Sequence, residues 1–229
     1  MARPAFSRSR TTRCDSPLND ESDTVGDPRI TTIVMVPGLR GHMAGHWQTL
    51  LARRLANAIE VPRMAEDAPD RLSCAAWIAA LERTLTPLAG PIVLVAHSAG
   101  CAIVAHWARS HERPIRGALL ATPPDFATPL PDGYPTLETL ARNGWTPMPQ
   151  ERLPVPSVVA ASTNDPLANH DRVAELAAHW GSHLVSLGAV GHLNPAAGFG
   201  PWPRAEALLR DLCGALDIVD DAVAAARGA

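Results

Sequence analysis

Five apolar residues, Ile92 to Ala96 (IVLVA), run straight into His97 and Ser98, after which the chain turns amphipathic through Ala108. A short apolar run with no polar partner on either side of its alternation suits a strand buried on both faces of a parallel sheet. A polar, unbranched serine at the point where such a strand meets a helix is the tightest constraint the sequence offers. The same signature recurs along the chain. Strand patterns fall at Thr31–Val36, Ile59–Val61, Arg116–Ala121, Ser157–Ala161 and His183–Leu187. Helical spacing falls between them: around residues 44–58, from Ser73 to Leu85, from Ser98 to Ser110, from Asn169 to His179 and from Pro203 to Leu216. Strand–helix alternation of this kind implies an α/β fold with a mostly parallel sheet of about six strands covered on both faces. With 229 residues, 46% of them hydrophobic, the chain supports one domain with a sizeable core.

Composition removes several function classes. The net charge of −3 argues against a nucleic-acid binder that works by neutralising phosphates. All 20 basic residues are arginine, which excludes a lysine Schiff base and a P-loop lysine. Cys14, Cys74, Cys101 and Cys213 are scattered without a C-x-x-C pair, so they read as reduced thiols rather than as disulfides or zinc ligands. Apolar runs are too short to span a bilayer, and the first residues lack a secretory apolar core. The expectation is a soluble cytoplasmic protein. Residues 1–29, rich in Arg, Ser, Asp and Glu, read as a disordered extension, residues 30–217 as the folded domain and residues 218–229 as a tail.

Serine needs an adjacent base, usually a histidine oriented by a carboxylate, before it acts as a nucleophile. Asp165 follows the fifth strand in an Asn-Asp-Pro turn, and His192 follows the sixth in a glycine-rich loop. All three candidates lie just past the carboxyl ends of parallel strands, in the order Ser98, Asp165, His192. The plainer reading of Ser98, a helix N-cap, explains neither of the other two. Asp125 after the fourth strand is the rival acid, less favoured because the acid normally precedes the histidine by one strand–helix step. Two N–H donors for an oxyanion are expected from Ala99, at the helix start, and from Leu39 in VPGLRGH. Gly100 is expected to let the helix pack close to its strand.

The segments VPGLRGHMAGHWQ, VLVAHSAGCAIVAHWA, GALLATPPD, ASTNDP and GHLNPAAGFGPWP together resemble the α/β-hydrolase superfamily. More narrowly, they are similar to the small serine hydrolases typified by retinoblastoma-binding-protein-nine and bacterial YdeN. That resemblance implies a three-layer fold with strand order 2-1-3-4-5-6, a minimal cap, and no metal or organic cofactor. It also implies a serine hydrolase. The expected reaction is cleavage of a carboxylic ester, with thioester and amide left open, and the proline-rich interval after the fourth strand points to a small acyl substrate. The departures are Ala96, where the elbow motif usually has glycine, and the long polar N-terminal extension. A protein- or peptide-binding module with little turnover stays open as the second reading, and oligomeric state is not legible.

Thr122 to Pro156 is a long proline-rich interval at the carboxyl edge of the fourth strand, where a small cap and an irregular surface loop are equally expected. His42 and His46 stand four apart, but no third metal ligand accompanies them. His46, Trp145 and Trp202 are the candidate substrate-binding residues. His97 is expected to make a structural hydrogen bond, and Cys101, Trp107 and Trp180 to pack in the core.

Overall fold

The computed structural model describes residues 30–213, so the expected extension and tail lie outside the described residues. Six strands form one sheet: β1 (Thr32–Val36), β2 (Ala58–Glu60), β3 (Ile92–His97), β4 (Gly117–Ala121), β5 (Ser157–Ala161) and β6 (His183–Ser186). All are parallel, in the order β2-β1-β3-β4-β5-β6. The strand pattern explains the layering. Val34, Val36, Leu94, Ala96, Leu120 and Val159 face one buried cluster, shared with helices α2 (Cys74–Leu85), α3 (Ala99–Ala108) and α5 (His170–Trp180). Their alternates Ile33, Met35, Val93, Val95, Leu119 and Val158 face a second cluster beneath α1 (Trp47–Arg54) and α6 (Arg204–Cys213). Both faces being apolar is why these strands read as continuous hydrophobic runs rather than alternating ones.

From β1 the chain crosses to α1 on one face, and from β3 it crosses to α3 on the other. The carboxyl ends of these neighbouring strands therefore form a topological switch point, the crevice where such sheets bind ligands.

Local chemistry sets the helix ends. Ser73 and Asn169 cap α2 and α5 by accepting N–H groups from Ala76 and Asp171. The first helix is shorter than its spacing suggests. His46 is extended and caps it, and Leu55 leaves helical geometry to bury its side chain beneath β2 and β1. Within the proline-rich interval the chain forms one short helix, α4 (Leu137–Arg142), capped by Thr136. Pro124, Phe126, Leu130 and Tyr134 ahead of it form one wall of the cleft above the switch point.

Gly100 is fixed by a close approach of backbone. A Cβ there would sit 2.4 Å from the Val36 carbonyl oxygen and 2.8 Å from that of Pro37. Gly100 thus lets α3 close onto the end of β1, the strand beside its own strand β3. Replacing Gly100 by alanine is expected to cost about 3 kcal/mol or more, because carbonyl groups cannot yield as a flexible side chain can. A melting temperature lower by roughly 6–12 °C in scanning calorimetry is the expected result; an unchanged one would show that α3 does not ride this close on β1.

Candidate active site

Ser98 sits between β3 and α3 with φ 57° and ψ −129°, a region that L-residues rarely occupy. Its backbone is held from both sides: its N–H donates to the Ala121 carbonyl at 3.0 Å, and its carbonyl accepts from Cys101 N–H at 2.9 Å. The side chain makes no capping hydrogen bond to the helix it precedes. Instead, Ser98 Oγ lies 2.8 Å from His192 Nε2. His192 Nδ1 lies 2.8 Å from Asp165 Oδ2 and 3.0 Å from Oδ1. Both side chains of this pair are almost fully buried. A hydroxyl, an imidazole and a carboxylate linked in this order can pass a proton from oxygen to nitrogen while the carboxylate fixes the ring.

The loops carrying Asp165 and His192 are stapled to each other. Asn164 Oδ1 accepts Gly191 N–H at 2.7 Å, and Ser162 Oγ accepts Val190 N–H at 3.3 Å. The Asp165 carboxylate also accepts Leu167 N–H at 2.9 Å. Leu193, directly after His192, is buried at φ 47°, a conformation costly for a bulky residue. Strain at Ser98 and Leu193 thus flanks the reacting groups.

Beneath His192, a row of imidazoles supports the loop. His97 Nε2–H donates to the His192 carbonyl at 2.9 Å, and its ring centroid lies 4.9 Å from that of His192 and 4.6 Å from that of His46. Burial, with His192 and His46 beside it, drives the His97 pKa well below its ordinary value. Burial, with smaller contributions from His42 and His192, lowers that of His46 to about 4. Both rings are therefore neutral near pH 7, and His46 Nδ1 is free to accept Gln48 N–H. The Gln48 carboxamide donates to the Val36 and Val95 carbonyls at 3.1 and 2.9 Å, tying together the carboxyl ends of β1 and β3.

The cleft over Ser98 encloses about 470 Å³ and is lined by Leu39, His46, Ala99, Phe126, Tyr134 and His192 among others. Ala99 N–H stands at the first turn of α3, where helical N–H groups lack intrahelical partners. Gly38 passes so close to Ser98 that a Cβ there would lie 3.1 Å from the Ser98 Cβ, and Leu39 after it lines the same cleft.

The serine hydrolase family model matches residues 33–211. The chain belongs to that family. A YdeN-like hydrolase from Pectobacterium atrosepticum shares 29% identity over 80% of this chain and 91% of its own, with a TM-score of 0.68. The ydeN gene product of Bacillus subtilis shares 20% identity over 80% and 98%, with a TM-score of 0.59. No curated protein matches the sequence at a significant level. The matched structures establish the α/β-hydrolase fold for this serine hydrolase.

Two candidate substrate-binding residues lie elsewhere. Trp145 is fully buried behind Phe126, and its indole N–H donates to the Leu72 carbonyl at 2.6 Å. Trp202 packs edge-on against Trp47 in the cluster beneath α1 and α6. Both tryptophans are bound into packing outside the lining of the cleft. His46 does line the cleft. Asp125 caps its own turn, accepting Ala127 N–H at 3.0 Å and the Thr128 hydroxyl at 3.1 Å, and lies 3.6 Å from Arg172 Nε. His42 is engaged with the Val61 carbonyl and Glu60. Among the described residues no group of three or more His, Cys, Asp or Glu is placed to hold a metal ion, and no helix is long and apolar enough to cross a membrane. Cys74 and Cys101 are buried free thiols; burial raises the Cys74 pKa to about 12 and drives that of Cys101 well above its ordinary value.

Gln48 and Asn164 are the supporting residues that sequence reasoning missed. Gln48 had a signal, because it shares a helical stripe with Leu51 and Leu55 and so places an amide on an otherwise apolar face. Asn164 looked only like part of a turn.

Proposed function

We propose that this serine hydrolase cleaves a carboxylic ester of a small substrate through an acyl-enzyme on Ser98. The hydrogen-bonded series Ser98–His192–Asp165, mounted on a strained serine, carries the reading. His192 Nε2 takes the Ser98 proton as Oγ attacks the acyl carbonyl, and Asp165 holds the ring with Nδ1–H toward itself and stabilises the imidazolium. The N–H groups of Leu39 and Ala99 receive the developing oxyanion. His192 then returns the proton to the leaving alcohol, and a water activated by the same imidazole hydrolyses the acyl-enzyme. A cleft of about 470 Å³ suits a small ester rather than a polymer.

A fluorophosphonate probe read by intact mass and peptide mapping tests this. One adduct on Ser98, absent after heat denaturation, is the expected result. A folded protein that takes no label has no activated serine, and a binding role would then lead.

A further inference from the structure

Arg40 and Arg71 line the cleft that holds Ser98, and no carboxylate lines it among the described residues. Some of the other arginines do pair with carboxylates. Arg54, Arg109, Arg142 and Arg172 each stand within ion-pair reach of a glutamate or aspartate. Asp70 and Asp132 belong to the same loops as Arg71 and Tyr134, yet neither lines the cleft and neither forms an ion pair with its arginines among the described residues. Both arginines are exposed at the cleft, and neither forms an ion pair among the described residues.

Arg40 is held by its side chain and Arg71 by its backbone. The Arg40 guanidinium carbon lies 5.0 Å from the centre of the Tyr134 ring, so the cation rests on an aromatic face across the mouth of the cleft. Arg40 also directly follows Leu39, a proposed oxyanion donor, in the loop after β1. Arg71 sits on a backbone fixed by two buried indoles. Trp77 Nε1–H donates to the Arg71 carbonyl at 2.9 Å, and Trp145 Nε1–H donates to the Leu72 carbonyl at 2.6 Å. Both tryptophans are 1% exposed or less. Trp145, which the sequence suggested as a substrate contact, acts instead as an anchor for the wall that presents Arg71. The cleft imidazoles His46 and His97 carry no charge near pH 7, so neither adds to the positive charge that the two arginines bring to the lining.

We infer that Arg40 and Arg71 select an anionic ester, one whose acyl or alcohol portion ends in a carboxylate. A guanidinium pairs with a carboxylate through two parallel N–H donors, and such charge-assisted bonds are about twice as strong as neutral ones. The inference rests on the ester-hydrolase reading above and names its substrate class.

Two substrate pairs test it. Mono-p-nitrophenyl adipate is compared with its methyl ester, and 4-acetoxybenzoate with methyl 4-acetoxybenzoate, for the parent and for the Arg40→Gln/Arg71→Gln double variant. The quantity read is the ratio of kcat/KM, anionic over neutral, which cancels any general loss of activity in the variant. A ratio at least about tenfold higher in the parent than in the variant, for one pair or both, is expected from a charge-assisted contact. A parent that shows no preference for the anion in either pair overturns the inference, as does a preference that survives the double substitution. If Ser98 takes the fluorophosphonate label and neutral esters turn over, that failure belongs to the inference alone. If Ser98 takes no label and no ester is cleaved, the hydrolytic reading itself has failed and the inference with it.

Discussion

Alanine at position 98 is expected to lower kcat on a p-nitrophenyl ester by on the order of a million-fold, because a nucleophile and its base act as one unit and removing either removes nearly all of their joint effect. What remains is the contribution of the oxyanion donors, roughly a thousand-fold over water. The folded protein should hardly notice. The strain at Ser98 comes from its backbone, φ 57° and ψ −129°, and alanine keeps the Cβ that makes this conformation costly. Ser98→Ala should therefore melt within about 3 °C of the parent, the shift expected from roughly 1 kcal/mol in a domain of this size. Ser98→Gly is equally inactive but relieves the strain, worth about 1–3 kcal/mol less the entropy glycine brings. It should melt no lower than the alanine variant, and a clear rise would measure the stability sacrificed to hold the hydroxyl in place. Ester turnover by Ser98→Ala within tenfold of the parent would remove Ser98 from the chemistry.

How much of this was readable beforehand follows from where each residue gets its position. The strands were legible because residues such as Val93 and Leu94 are buried on opposite faces of one sheet, leaving an apolar run that loops do not imitate. Ser98, Asp165 and His192 were legible as a set because parallel strands deliver their carboxyl ends to one edge, so position after a strand already implies proximity. The cleft walls follow no such rule. Whether a tryptophan in a proline-rich interval points outward or inward depends on the path of an aperiodic loop, and Trp145 turned inward to satisfy its N–H on Leu72. Arg71 reached the cleft on the same wall, next to Leu72, with its own carbonyl taken by Trp77 N–H. Gly100 was recognised as a close-packing position, but its partner, the end of β1, lies more than 60 residues away and has no local trace. The short first helix was missed because its boundaries are set by tertiary demands on His46 and Leu55 rather than by helical spacing.

The choice between the two candidate acids gives the second large effect. Asp165→Asn should lower kcat by on the order of ten-thousand-fold, while Asp125→Asn should leave it within a few fold. The reasoning is about protons rather than distance alone. Asp165 Oδ2 lies 2.8 Å from His192 Nδ1, where an acceptor fixes Nδ1–H and leaves Nε2 bare to take the Ser98 proton. An amide can turn its NH₂ group to that position, favour the opposite tautomer, and leave the base already protonated where it must accept. Its carbonyl oxygen would meanwhile still receive Leu167 N–H, so the turn should survive and the loss should fall on kcat rather than on folding. Asp125 has no such link. Its oxygens serve Ala127 N–H and the Thr128 hydroxyl, with Arg172 at 3.6 Å. Asparagine there weakens a turn and one half-exposed ion pair, an effect on melting of no more than a few degrees. Steady-state kinetics and a thermal melt on both variants decide the matter. A large loss of kcat for Asp125→Asn, with Asp165→Asn active, would mean that the acid works from the end of β4, and that the contact between Asp165 and His192 is structural only.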